Sequence, residues 1–193
     1  AKDGAPATRG IGGKVLNAIV PNLPFLIGGS ADLNPSTMTF INDSGYFANG
    51  AFGEKNIPFG VREFGMSAAA SGMVLHGGIR PFVSTFFVFT DYARPAMRMA
   101  ALMHLPITYI MTHDSIGVGE DGPTHQPVEH LTALRVIPNM TVIRPMDANE
   151  TAEAWKVAML HKTGPTVIVL TRQGLPIVDR EKYGAASNLA KGA

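Results

Sequence analysis

The chain has 193 residues, 16 basic and 15 acidic side chains for a net charge of +1, and 46% hydrophobic content. That is enough apolar material for one good-sized core, and too even a charge for a dedicated nucleic-acid or anionic-membrane binder. Cysteine is absent, which excludes disulfides and thiolate metal centres and suits a reducing compartment.

The opening AKDGAPATRG has no apolar core of a secretory signal and no initiator Met, so the chain is expected to be processed or a piece of something longer. No apolar run approaches the ~20 residues needed to span a bilayer. Residues 1–7 read as a linker. Val15, Leu16, Ile19 and Val20 at helical spacing predict a helix over 14–20, closed by Pro21. Residues 25–27 form a short apolar strand ending in Gly28-Gly29-Ser30. Residues 31–58 are rich in Asn, Gly and Ser, and too long for a plain connector, so part of the stretch is expected over a site.

A strand over 57–61 leads through Arg62-Glu63 into an Ala- and Met-rich helix over 64–76, stopped by Gly77-Gly78. A buried strand over 79–88 precedes a helix over 91–104, with Pro95 in its first turn. A strand over 106–111 feeds the polar stretch THDSIGVGEDGPTHQP, residues 112–127. Then come a helix over 128–134, a strand over 141–144, a helix over 147–161 capped by Asp147, and a last strand over 166–170. The remainder from Gly174 shows little periodicity.

Apolar strands alternating with helices predict an α/β fold, three-layer α/β/α with a mostly parallel sheet. Four polar clusters, Gly29-Ser30-Ala31-Asp32, Arg62-Glu63, His113-Asp114 and Thr171-Arg172-Gln173, each follow the C-terminal end of a predicted strand. That rim is where an open α/β sheet binds ligands.

Glu63 reads either as a helix N-terminal acid or as a semi-buried acid that bonds a ring nitrogen or moves a proton. Phe86, Phe89 and Tyr92, spaced by three, are core or an aromatic wall for a flat heterocycle. His113 and His125, with Glu120 and Asp121, lack the register of a zinc site. Solvated loop residues, or recognition of a substrate hydroxyl or phosphate, fit better. Arg172, after a buried strand, suits phosphate oxygens bidentately; Arg9 reads either the same way or as a solvated linker charge, and Ser36 could add a hydroxyl to the same anion.

Val61-Arg62-Glu63-Phe64-Gly65-Met66, Ser84-Thr85-Phe86 through Tyr92-Ala93-Arg94, Thr112-His113-Asp114-Ser115, Gly119-Glu120-Asp121-Gly122-Pro123-Thr124-His125-Gln126-Pro127 and Thr171-Arg172-Gln173 stand in that order, after Gly28-Gly29-Ser30-Ala31-Asp32-Leu33. Together they resemble the central, pyrimidine-binding domain of the transketolase family, over nearly the whole chain. The family usually has Lys after the Arg that matches Arg9, followed by Ala-Ser. Here the residues are Gly10-Ile11-Gly12-Gly13.

The resemblance implies thiamine diphosphate as cofactor and transfer of a two-carbon ketol unit from a ketose to an aldose phosphate. It implies that Glu63 hydrogen-bonds N1′ of the aminopyrimidine and promotes loss of the thiazolium C2 proton. Phe86, Phe89 and Tyr92 match the pyrimidine pocket, and Asp32 a position near the cofactor. Arg9, Ser36, His113 and Arg172 match the residues holding the sugar phosphate. Asp121 matches the reader of a substrate hydroxyl, and His125 the residue beside the reacting carbons.

In this family Mg²⁺ or Ca²⁺ is held by a Gly-Asp-Gly motif and an Asn of a separate diphosphate-binding domain. Gly-Asp-Gly does not occur here, so no metal site is expected in this chain. The expectation is a pyrimidine-binding domain over 1–175 and a tail over 176–193 leading toward a C-terminal domain. The chain should be inactive alone, form a homodimer, and be cytoplasmic or, in a photosynthetic eukaryote, plastidic. Three other readings are an assembly module that keeps only the fold, the same domain of another thiamine-diphosphate enzyme such as deoxyxylulose-phosphate synthase, and a metal hydrolase built on the two loop histidines.

Overall fold

The computed structural model describes residues 5–192; the first four residues of the expected linker and the last of the tail lie outside it. Among the described residues one six-stranded sheet forms, all neighbours parallel. Its strands are β1 (Leu26–Ser30), β2 (Asn56–Pro58), β3 (Arg80–Phe86), β4 (Thr108–Thr112), β5 (Thr141–Ile143) and β6 (Thr166–Leu170), in the order β2-β1-β3-β4-β6-β5. The helices are α1 (Thr8–Ile19), α2 (Asn34–Thr37), α3 (Glu63–His76), α4 (Thr90–Leu102), α5 (His130–Arg135), α6 (Ala148–Leu160) and α7 (Arg180–Tyr183).

The period of two along each strand sends alternate side chains into two cores. Val83, Tyr109, Met111, Val167 and Val169 pack with Met66 and Ala70 of α3, Met97 and Ala100 of α4 and Leu134 of α5. Phe82, Ile110, Ile168 and Leu170 pack on the other face, with Leu16 of α1 and Trp155 and Ala158 of α6. The three-layer expectation therefore holds.

Several boundaries move. Helix α1 starts at Thr8, not at 14, and runs straight through Gly10, Gly12 and Gly13. Tertiary packing overrides the low propensity of glycine there. A Cβ on Gly13 would sit 2.4 Å from the Met38 carbonyl oxygen, and one on Gly12 2.8 Å from Leu170 Cδ1. Gly28 and Gly29 do not follow β1 but lie inside it, paired with β3 on one side and β2 on the other.

The stretch over 31–58 contains α2 and β2, and β2 ends at Pro58 rather than 61. Strand β3 stops at Phe86, and a 3₁₀ turn over Phe87–Phe89 leads into α4. α5 begins two residues later than expected. The tail is held by polar contacts at Arg180 and by Leu189, which packs against the core beneath α1 and α6. The fully buried Asp147, which caps α6, also accepts from Val178 N and pairs with Arg180, while Arg180 Nη1 reaches Glu150 Oε1 at 3.0 Å.

Candidate functional site

Because all strands are parallel, the segments after β1, β2, β3, β4 and β6 emerge on one rim. The buried Glu63 opens α3, with its carboxylate at the positive end of the helix. Thr85, at the end of β3, donates its hydroxyl to Glu63 Oε1 at 3.2 Å. A buried carboxylate needs such donors; the partner lies 22 residues away, and sequence reading had assigned Thr85 no role.

The next residue begins a wall of rings. Phe86 and Phe89 lie nearly parallel with centroids 5.8 Å apart, and Phe89 and Tyr92 are 6.0 Å apart. Phe86 also stacks on His113 at 3.7 Å, and His125 meets Phe89 edge-on at 5.4 Å. Phe86 is buried, but Tyr92 is 65% exposed. The spacing of three is therefore not simply core: it carries a row of rings from the sheet out to the surface.

His113 follows β4 with a left-handed backbone (φ 61°) and is buried. Its Nδ1 is hydrogen-bonded to Thr112 Oγ1 at 2.9 Å, and its Nε2 lies 3.4 Å from Asp121 Oδ2. Burial first, and then the positive charge of Arg9, hold its pKa down to about 4, with Asp121 opposing them. Arg172 Nε is 3.5 Å from the same Asp121 oxygen. Arg9 Nη1 donates to the Ser36 carbonyl at 2.8 Å, and burial and the nearby Arg172 lower the Arg9 pKa. A buttress lies beneath this group: the Asp114 carboxylate accepts from Arg144 Nε at 2.9 Å and Nη2 at 2.6 Å.

A histidine with a depressed pKa has a defined effect on stability. Between about 4 and the ordinary 6.5 the unfolded chain binds a proton that the folded chain refuses. Stability is therefore lost as pH falls from 6.5 toward 4. Urea unfolding at pH 7 and pH 4.5 should show the wild type losing about 2 kcal/mol more than His113→Asn. Equal losses would mean that His113 titrates normally.

The structure thus brings Arg9, His113, Asp121 and Arg172 into one polar group, and Phe86, Phe89, Tyr92 and His125 into a wall of rings, with Glu63 bonded to Thr85, the residue before Phe86. Ser36 and Asp32 are the other two expected residues. Ser36 meets Arg9 through its main-chain carbonyl, not its hydroxyl. Asp32, exposed at φ 61°, lines a cavity of about 240 Å³ with Ser30, Asn34, Pro35, Tyr46 and Pro58.

The loop histidines and acids do not converge as metal ligands. Among the described residues the only such group of three is Asp91, Glu129 and His130. Its two carboxylates face opposite ring nitrogens of His130, Asp91 Oδ2 at 3.2 Å from Nε2 and Glu129 Oε2 at 3.7 Å from Nδ1, an arrangement that bridges charges rather than surrounds an ion.

A family profile described as the transketolase pyrimidine-binding domain matches residues 4–178. The chain belongs to the transketolase pyrimidine-binding domain family. It is 55% identical to the transketolase of Bacillus subtilis over 192 residues, covering all of this chain and 29% of that protein. It is 54% identical to the Geobacillus stearothermophilus transketolase, covering 97% of this chain and 28% of that one.

Among solved structures, a Pichia stipitis transketolase in complex with sedoheptulose 7-phosphate superposes with TM-score 0.93 at 42% identity, over 99% of this chain and 29% of that one. A split-gene transketolase, described as an inactive β4 tetramer, matches with TM-score 0.72 at 35% identity, over 91% of this chain and 55% of that one. The chain spans under a third of the length of the curated transketolases it matches. No helix among the described residues is long and apolar enough to cross a membrane.

Proposed function

We propose that this chain supplies the pyrimidine-binding wall of a transketolase active site, serving two-carbon ketol transfer between ketose and aldose phosphates. The observation that supports this most is the buried Glu63, held by Thr85 beside the ring wall of Phe86, Phe89 and Tyr92. The residues fit thiamine diphosphate: a flat aminopyrimidine needs apolar faces and a carboxylate at one ring nitrogen, and both stand on this rim. When bound, that cofactor supplies the carbanion chemistry.

The chain's own residues orient and hold protons. Glu63 accepts from the ring nitrogen and Thr85 fixes its rotamer. Arg9 and Arg172 bind the sugar phosphate, with the neutral His113 as a hydrogen-bond partner. Asp121 reads a substrate hydroxyl, and His125, against Phe89, faces the reacting carbons. Ser36 lines the phosphate end through Arg9, and Asp32 lies at the cofactor's margin. Mg²⁺ or Ca²⁺ is held by a diphosphate-binding domain outside this chain. The domain ends near residue 175, and 176–193 lead toward a C-terminal domain. The compartment is cytoplasmic or plastidic.

The face of α3 and α4 carries exposed Phe64, Leu75, Tyr92, Met99 and Leu102, a patch of the kind that marks an interface. We assign it to a homodimer.

Calorimetry with thiamine diphosphate and Mg²⁺ tests the reading. The chain alone should bind weakly or not at all, and adding a transketolase diphosphate-binding domain should give tight binding and ketol transfer. Tight metal-dependent binding by the chain alone would overturn it.

A further inference from the structure

The arginine best placed to meet a phosphate is already occupied. Arg172 Nη2 donates to Glu120 Oε1 at 2.5 Å while its Nε lies 3.5 Å from Asp121 Oδ2. The two carboxylates are held very differently. Asp121 is wedged between His113 and Arg172 with Oδ2 shielded from solvent. Glu120 is 80% exposed along its side chain, and among the described residues Arg172 is its sole side-chain partner. The residue before it, Gly119, has φ 81° and nothing within 4 Å of where a Cβ would stand.

With His113 uncharged, the group holds two guanidinium cations, Arg9 and Arg172, against two carboxylates, so its net charge is zero. An arriving phosphate dianion meets no net attraction unless one carboxylate yields. Glu120 is the one that can swing into water without leaving a buried charge unpaired.

We propose that Glu120 is a built-in counter-anion that occupies Arg172 until a substrate phosphate displaces it, and so sets how strongly the site prefers phosphorylated over neutral sugars. This rests on the reading that Arg9 and Arg172 bind the sugar phosphate. Displacement exchanges one charge-assisted bond for a bidentate one, because a guanidinium fork matches two phosphate oxygens better than a single mobile carboxylate oxygen. A neutral sugar makes no claim on Arg172, so Glu120 stays in place and costs it nothing. An exposed ion pair is weak, which makes Glu120 a modest competitor that tunes the site without closing it.

The test is titration of the full chain with inorganic phosphate at low ionic strength, followed through the Arg172 Nε resonance, and at Arg172→Gln through His113 Nε2. Glu120→Gln should bind phosphate about three- to five-fold tighter than the wild type. The gain should shrink as salt screens the exposed charges. Arg172→Gln should bind at least about ten-fold more weakly. Glu129→Gln, the same change in net charge at an exposed acid on His130, should leave phosphate affinity unchanged.

If Glu120→Gln matches the wild type while Arg172→Gln weakens binding, the counter-anion is refuted and the phosphate site stands. An equal gain in Glu129→Gln refutes it too, because overall charge would then explain the effect. If Arg172→Gln changes nothing, or no variant binds phosphate, the sugar-phosphate reading falls and the proposal with it.

Discussion

Glu63→Gln should lower kcat about 10²- to 10⁴-fold when the chain is assayed with a diphosphate-binding domain, while the fold survives. Gln has the shape of Glu and can still accept from Thr85, which donates to Oε1 at 3.2 Å. What it lacks is the negative charge at the end of α3, which a ring nitrogen needs in order to gain a proton. The loss in stability should stay within about 1 kcal/mol, the scale of one helix-terminus charge. Near-wild-type turnover would instead favour the assembly-module reading, in which Glu63 merely starts a helix.

Gly28→Ala should destabilise the fold by about 3 kcal/mol or more, measured by urea unfolding. Gly28 sits in β1 opposite Phe82 of β3. A Cβ there would lie 2.0 Å from the Phe82 carbonyl oxygen, and one on Gly29 2.0 Å from the Ile57 carbonyl oxygen. Both obstacles are main chain, so relief requires separating β1 from its neighbours β3 and β2 and losing ladder hydrogen bonds. The same change at Gly10 provides the contrast. It lies within α1 with nothing within 4 Å of the added Cβ, and should stabilise by up to about 1 kcal/mol through helix propensity. A neutral Gly28→Ala would mean that β1 is not packed tightly against β3.

These glycines mark where local pattern stops informing. A Gly-Gly pair after three apolar residues reads as the end of a strand, and a Gly-rich run before a helix as a late start. Both readings rest on propensities worth about a kilocalorie per residue, and the packing of Gly13 on Met38 and of β1 between β2 and β3 outweighs them. Where the signal was a long apolar period, as in β6 over Thr166–Leu170 or in α3, sequence and structure agree to within a residue. The tail was unreadable because Asp147 and Arg180, 33 residues apart, and the lone apolar contact of Leu189 hold it, with no periodic apolar pattern.

The sequence alone determined the α/β class, the rim on which the candidate site lies, and which side chains are candidates there: Glu63, the ring series, the two loop histidines and the two arginines. Hydrophobic period and strand-end chemistry are local properties, carried by residues a few positions apart. The tertiary structure decided who meets whom. Thr85 finds Glu63 across 22 residues, Glu120 finds Arg172 across 52, and His113 lies flat on Phe86 because β3 and β4 are neighbours. Strand order is set by crossovers and by the packing of both sheet faces at once, and no local pattern encodes it. The pairing that makes the polar stretch, residues 112–127, a charged wall therefore arises only when the sheet is assembled.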